Sequence, residues 1–281
     1  MGKASSSKRS HYDNITELWK AVIGDNFHFG YFLRDDDDLR EATDRLTDEV
    51  AKHVSIDENT RILDVGCGIG KPAFYLHEKH GCRITGISSS KKGIELAKEE
   101  LENLGYPDKI EFLVADAKDN GLPDESYDLV WVMETSHLIL RKRRLINECF
   151  RVLKKGGEMV LCDIILKKKC TPFDRVIRFI RHFPTVMSMG GAFGRAVLEA
   201  LSEYERLMFE AGFSSAYTVD ITKETMATVR KWRESMNKNR DTIKARFGEE
   251  HVWRFRRGCD ALEYMLANGT YGYGIVKASK E

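Results

Sequence analysis

A chain of 281 residues exceeds one average domain and falls short of two, and a single α/β domain with insertions also reaches this size. With 42% hydrophobic and 32% charged residues it has apolar side chains for a sizeable core and charge to stay in solution, which excludes disordered, collagen-like and disulfide-scaffold chains. Forty-five Lys and Arg against forty-four Asp and Glu leave a formal charge of +1, so no global field draws the chain to nucleic acid or to an anionic membrane, and neither is an expected partner.

Six cysteines (Cys67, Cys82, Cys149, Cys162, Cys170, Cys259) include no C-x-x-C pair, so neither a zinc site nor a disulfide framework is expected. No apolar stretch approaches the roughly 18 residues of a spanning helix. The opening MGKASSSKRS lacks the apolar segment of a secretory signal, and the expectation is a cytoplasmic protein with reduced thiols.

Residues 1–10 read as a disordered tail. Residues 11–60 read as N-terminal helices, the first carrying Ile15, Leu18, Trp19, Val22 and Ile23 and the second Leu39, Ala42, Leu46 and Val50 at helical spacing. Asp35 to Asp38 between them read as a solvated turn; the alternating ligands, Gly and terminal Glu of a calcium loop are missing. From residue 61 to 166, short β-branched runs alternate with helical stretches: RILDVG, CRITGIS, IEFLVAD, YDLVWVME and GEMVLCDIIL. That alternation predicts an α/β fold with a doubly wound, mostly parallel sheet.

Residues 167–281 depart from this rhythm. A basic, aromatic-rich stretch over 167–200 precedes an ordinary helix, and two more strands, SSAYTVDI and TYGYGIVKA, flank residues 222–269, too many for a structureless loop. Both insertions read as one helical cap that contributes packing around the last two strands. Phe173, Ile177, Phe179, Ile180 and Phe183 read as core or cap packing, and the lysines and arginines between 167 and 181 as a solvated face.

The segment ILDVGCGIGKPA runs an apolar strand into Asp64 and then Gly66, Gly68 and Gly70 before a helix. Glycines at alternate positions let the backbone turn sharply and approach a ligand closely. A dinucleotide fingerprint needs its third glycine one place later, at Lys71; the observed register, with an acid two residues before the first glycine, is the S-adenosylmethionine version. Asp116, in VADA at the end of the third strand, can accept from an exocyclic amine, or equally cap a turn. Glu134 ends the fourth strand at the same carboxyl edge.

Taken in order, ILDVGCGIGKPA, TGIS, VADA, FRVLKKGG and LCDII resemble the class I S-adenosylmethionine-dependent methyltransferases. HYD, HFGYF, MSMGG, YERLMFEAGF, VDIT and a closing glycine-tyrosine strand resemble the small-molecule subgroup of the rebeccamycin sugar O-methyltransferase type, so the similarity spans residues 11–279. The resemblance implies seven strands with the last antiparallel. It places Gly66, Gly68 and Gly70 around the cofactor's amino acid part, Asp116 with Ala117 on its adenine, and Tyr12 and His28 closing over it. Many relatives end the second strand with an acid for the ribose; here Ile87, Ser88 and Ser89 stand there, and Gly93 replaces the glutamine of the rebeccamycin type.

Methyl transfer to a hydroxyl needs alignment and a base. METSH places His137 just past the fourth strand and LCDI places Asp163 at the end of the fifth, neighbouring strands about 4.8 Å apart. A carboxylate there can hold the imidazole in one tautomer while His137 takes the proton; the alternative is a helix cap beside a strand end. The resemblance supports the pair, although the relative's second histidine is Leu138 here. The other histidines have no metal-ligand spacing, and no metal is expected. The expected function is methyl transfer to a small, hydroxyl-bearing natural product by a monomer or homodimer. C- or N-methylation, and a cyclase that keeps the sulfonium intact, stand as alternatives.

Overall fold

The computed structural model describes residues 18–24, 28–106 and 108–281. Seven strands, Arg61–Val65 (β1), Arg83–Ser88 (β2), Ile110–Val114 (β3), Tyr127–Met133 (β4), Leu153–Leu166 (β5), Ser215–Asp220 (β6) and Tyr271–Ser279 (β7), make one sheet in the order β3-β2-β1-β4-β5-β7-β6. The first five pair in parallel, and β7 runs antiparallel to both β5 and β6. The expected fold class is what forms.

Parallel neighbours need crossovers, and helices supply them. Leu39–Ala51 (α1) precedes β1, Lys71–His80 (α2) and Lys91–Leu104 (α3) flank β2, and Lys142–Val152 (α4) joins β4 to β5. Pro172–Arg181 (α5), Phe183–Phe193 (α6) and Leu201–Ala211 (α7) follow β5. Between β6 and β7 lie Thr222–Thr225 (α8), Ala227–Lys238 (α9), Arg240–Phe247 (α10) and Glu249–Ala267 (α11).

The two-residue period of a strand sorts the core. Ile62, Leu129, Trp131, Val160 and Tyr273 enter the cluster on one face, with α1, α2, α9 and α11; Leu63, Val130, Val132, Leu161 and Val276 enter the other, with α4 and α7. Both faces are covered, so β4 is an almost unbroken buried run. Local signals set the ends: Ser90 caps α3 by accepting from Gly93 N, and Gly105 closes it in the left-handed region at φ 76°.

Two expectations are corrected. The acidic turn is not uniformly solvated. Asp37 is buried, accepting from the Leu33 and Arg34 amides and from Arg45 at 2.7 Å, while Asp38 caps α1. Nor do the apolar side chains of α5 and its C-terminal neighbour pack inward: Phe173 is 72% and Ile180 69% exposed, and Ile177, Phe179 and Phe183 are exposed too. Arg175 turns the polar face of α5 toward the protein, pairing with Glu199 at 2.5 Å and with the Leu198 carbonyl at 3.2 Å. Helix α6 instead packs tightly on α11, where a β-carbon on Gly258 would lie 2.2 Å from Ala192 Cβ. Among the described residues no helix is long and apolar enough to cross a membrane.

Candidate active site

The carboxyl ends of β1, β4 and β5 meet at one edge of the sheet. After β1 the backbone turns through Gly66 and Gly68, at φ 84° and 56°, and Gly70 at φ 85° starts α2, with Pro72 in the helix's first turn. The amides of Gly66 and Cys67 both donate to the Ile87 carbonyl, at 2.7 and 3.1 Å. The three glycines have different neighbours. A β-carbon on Gly66 would sit 1.9 Å from Thr135 Oγ1 and one on Gly70 2.6 Å from Phe112, whereas at Gly68 nothing lies within 4 Å. Gly66 and Gly70 are thus demanded by the protein's own packing, and Gly68 alone faces open space.

Asp64 stands at this turn, 3% exposed, and its Oδ2 is buried without a hydrogen-bond partner. Burial pushes its carboxyl up to about 7. An unpaired buried carboxylate is costly and marks a place for a cationic donor. The ammonium group of S-adenosylmethionine is such a donor, and the open side of Gly68 leaves the backbone approachable, so the residues present fit the cofactor.

Glu134, just past β4, adopts φ 46°, rare for a non-glycine residue. Its carboxylate accepts the backbone N–H of Phe29 and the hydroxyl of Tyr273 at 2.6 Å. Burial outweighs these donors and raises the Glu134 carboxyl to about 7. Phe29 also stacks on the Tyr273 ring, centroids 4.8 Å apart, and Gly30 N donates to Thr228 Oγ1 at 3.1 Å. The HFGYF segment is therefore strapped across the sheet edge.

The turn Ser136–Leu138 follows. His137 Nδ1 lies 2.7 Å from Asp163 Oδ1, and its backbone N–H donates to Asp163 Oδ2 at 2.8 Å. Asp163 is fully buried and also accepts from the Ile164 amide at 2.7 Å and from Ser136 Oγ at 2.6 Å. Burial opposes its charge, but His137 and these donors together hold the carboxyl below the usual range. An ionised Asp163 only accepts, so the proton of the neutral imidazole belongs on Nδ1 and the lone pair on Nε2. Burial disfavours the imidazolium, the Asp163 carboxylate outweighs that, and the net effect raises His137 above its ordinary value.

The remaining site expectations fare differently. Asp116 is half-exposed, pairs with Lys118 and accepts its amide at 3.0 Å, a turn arrangement; Ala117 packs under the sheet. Ile87 is buried in the sheet, and Ser88 Oγ accepts from Ser90 N at 3.2 Å. A side chain at Gly93 would begin 2.9 Å from the Gly68 carbonyl, so the glutamine of the rebeccamycin type has no room there. His28 is buried, its Nδ1 2.8 Å from the Phe29 carbonyl; Tyr12 lies outside the described residues.

Sequence reasoning missed Ser136, Lys142, Tyr204 and Tyr273. Lys142 carried a signal: in the run RKRR, residues 141–144, it is the one on the stripe of Leu145, Ile146 and Cys149, and it is the buried member. Tyr204 and Tyr273 read as ordinary core positions.

The family profile described as methyltransferase domain matches residues 63–161. Over 261 residues the chain is 30% identical to the 27-O-demethylrifamycin SV methyltransferase of Amycolatopsis mediterranei, covering 91% of this chain and 93% of that protein. It is 28% identical over 272 residues to the methyltransferase GfsG of Streptomyces halstedii, covering 96% and 92%. Among solved structures, the cyclase SpnF superposes with a TM-score of 0.83 at 26% identity over 98% of this chain and 96% of that one. The glycine turn beside an unpaired buried carboxylate, the sheet order and these similarities agree: the chain belongs to the class I S-adenosylmethionine-dependent methyltransferases.

Proposed function

We propose that this enzyme methylates a hydroxyl group of a small, natural-product-like acceptor, with His137 as the base and Asp163 as its orienting partner. The observation that carries this reading is the 2.7 Å contact between His137 Nδ1 and the fully buried Asp163 carboxylate. It leaves Nε2 to take a proton.

When bound, S-adenosylmethionine supplies a methyl group on a sulfonium. Asp64 and the open side of Gly68 would hold its amino acid part, Asp116 with Ala117 its adenine, and Ile87 with Ser88, at the end of β2, its ribose. Glu134, His28 and the strap around Phe29 keep water from the edge of the sheet. A hydroxyl becomes a competent nucleophile as its proton passes to His137 Nε2, and the Asp163 charge stabilises the imidazolium that forms. The strap and residues 167–281, where α6 packs on α11, are assigned the work of enclosing cofactor and acceptor. The rifamycin relative, named for a methylated oxygen, supports the hydroxyl acceptor.

The test is incubation with labelled S-adenosylmethionine and a panel of hydroxylated, aminated and unsaturated polyketide-like compounds, locating the methylated atom by NMR. Transfer to oxygen that falls by orders of magnitude in His137→Gln, with cofactor binding kept, supports the reading; transfer to nitrogen or carbon at an undiminished rate overturns it. The similarity to SpnF favours a second reading, ring closure without transfer. Product formation with the cofactor recovered intact would select it.

A further inference from the structure

Beneath His137, buried polar groups contact Asp163 and the turn that carries the imidazole. Ser136 Oγ donates to Asp163 Oδ2 at 2.6 Å, and since that donation uses the Ser136 proton, the Tyr204 hydroxyl donates to Ser136 Oγ, also at 2.6 Å. Both side chains are fully buried. With His137 N on the same oxygen, and His137 Nδ1 and Ile164 N on the other, the Asp163 carboxylate meets four donors and has one orientation.

Lys142 completes the arrangement from α4. Its ammonium group is buried and bound to three carbonyls: Ser136, Ile139 at 2.7 Å and Val197 at 2.7 Å. Val197 in turn donates its amide to the His137 carbonyl at 2.7 Å. The turn that carries His137 is thus fastened at residues 136 and 139 by Lys142 and at residue 137 by Val197, which Lys142 also binds. Lys142 also brings a positive charge near the buried Asp163. An unpaired buried anion would draw a proton onto His137; one balanced from α4 can orient a neutral imidazole.

We propose that Ser136, Tyr204 and Lys142 are positioning residues for the reaction: Ser136 and Tyr204 lock the Asp163 carboxylate, and Lys142 fastens the His137 turn and offsets part of the Asp163 charge, so that the imidazole is held in one orientation with Nε2 toward the acceptor. This inference rests on the base reading above. The charged groups around His137 are Asp163, Glu134 and Lys142, and those around Lys142 are Asp163, Glu199 and Arg175. Removing Lys142 deletes a like charge beside the imidazole, and removing a donor from Asp163 leaves a more basic carboxylate, so each change favours protonated His137.

The test follows the His137 imidazole by NMR in histidine-labelled, acceptor-free protein, its signal assigned by its loss in His137→Gln. Lys142→Met and Ser136→Ala are expected to raise the His137 midpoint, Tyr204→Phe to raise it less, and Ser136→Thr to restore it. On the panel compound methylated fastest, kcat at neutral pH falls about tenfold with KM nearly unchanged, and the acid limb of the pH profile moves up with the NMR midpoint. Should Lys142→Met not fold, Ser136→Ala and Tyr204→Phe carry the same measurement. Unshifted titrations and unshifted limbs, beside a slow His137→Gln, overturn this inference alone; His137→Gln turning over at the wild-type rate overturns the base reading and this inference with it.

Discussion

Glu134 accepts the backbone N–H of Phe29, 105 positions away in the chain, and through the same oxygen the hydroxyl of Tyr273. One carboxylate thereby ties the strap to both β4 and β7. Glu134→Ala leaves two buried donors without an acceptor, a loss of about 1–3 kcal/mol each. We expect faster amide exchange over residues 28–32 and cofactor affinity at least tenfold weaker by calorimetry. Unchanged exchange and affinity would show that the strap is held by its other contacts alone.

The three glycines of the cofactor turn should respond unequally to alanine. Gly66→Ala combines φ 84° with a contact 1.9 Å from Thr135, and is expected to unfold the protein or lower its melting temperature sharply. Gly68→Ala meets nothing, so it costs only the roughly 1 kcal/mol of a left-handed alanine, and it is expected to weaken cofactor binding if the proposed placement of the cofactor's amino acid part holds. Thermal melts with and without S-adenosylhomocysteine separate the two; equal destabilisation by both would refute the distinction.

Stability of the cofactor-free protein should fall as pH rises from about 5 to about 7, above the range in which carboxyls held low, such as Glu148, Asp163 and Glu203, add stability with rising pH. Burial raises Asp64 from 3.8 and Glu134 from 4.5 to about 7, so between those limits the folded state binds more protons than the unfolded one. His137, raised from 6.5, adds stability below that value that is lost as pH rises further, the same sign. Lys142, lowered from 10.5 to about 8, acts with the opposite sign but only above neutrality. Asp64→Asn should flatten the slope and raise the neutral-pH melting temperature while weakening cofactor binding. A destabilised Asp64→Asn that binds normally would contradict this.

Asp163→Asn keeps the shape of the partner but removes its charge and can turn a donor toward His137 Nδ1. The imidazole is then free to take the other tautomer, with its proton on Nε2 and no lone pair for the acceptor. A loss of roughly 10²–10⁴ in kcat is expected, with cofactor affinity within a few-fold of wild type. Loss of cofactor binding instead would assign Asp163 to the fold.

The fold was legible because burial writes itself into periodicity. Trp131 and Val132 fall on opposite faces by their place in an apolar run, and Ile94, Ala97 and Leu101 mark the inner stripe of α3. The adjacency of His137 and Asp163 was readable from neighbouring parallel strands, the end of β4 at Met133 lying opposite Cys162, although β5 runs on to Leu166. Partner choice across long separations was not. Nothing in LEYML or YGYG distinguishes Tyr264, exposed on α11, from Tyr273, buried beneath Glu134, and only the third dimension brings Tyr204 to Ser136. The aromatic stretch around Phe173 misled for the converse reason: an ion pair from Arg175 to Glu199, on a segment following α6, decides which side of α5 faces out.

Strand β7 lies between β5 and β6, although residues 221–270 separate it from β6. On the ribosome, β6 therefore emerges before the strand it pairs with: only when residues 271–279 leave the exit tunnel can the edge be zipped shut, and Tyr273, whose hydroxyl donates to Glu134, arrives in that same last step. A nascent chain short of this strand leaves the β5 edge unpaired and Glu134 without the Tyr273 donor.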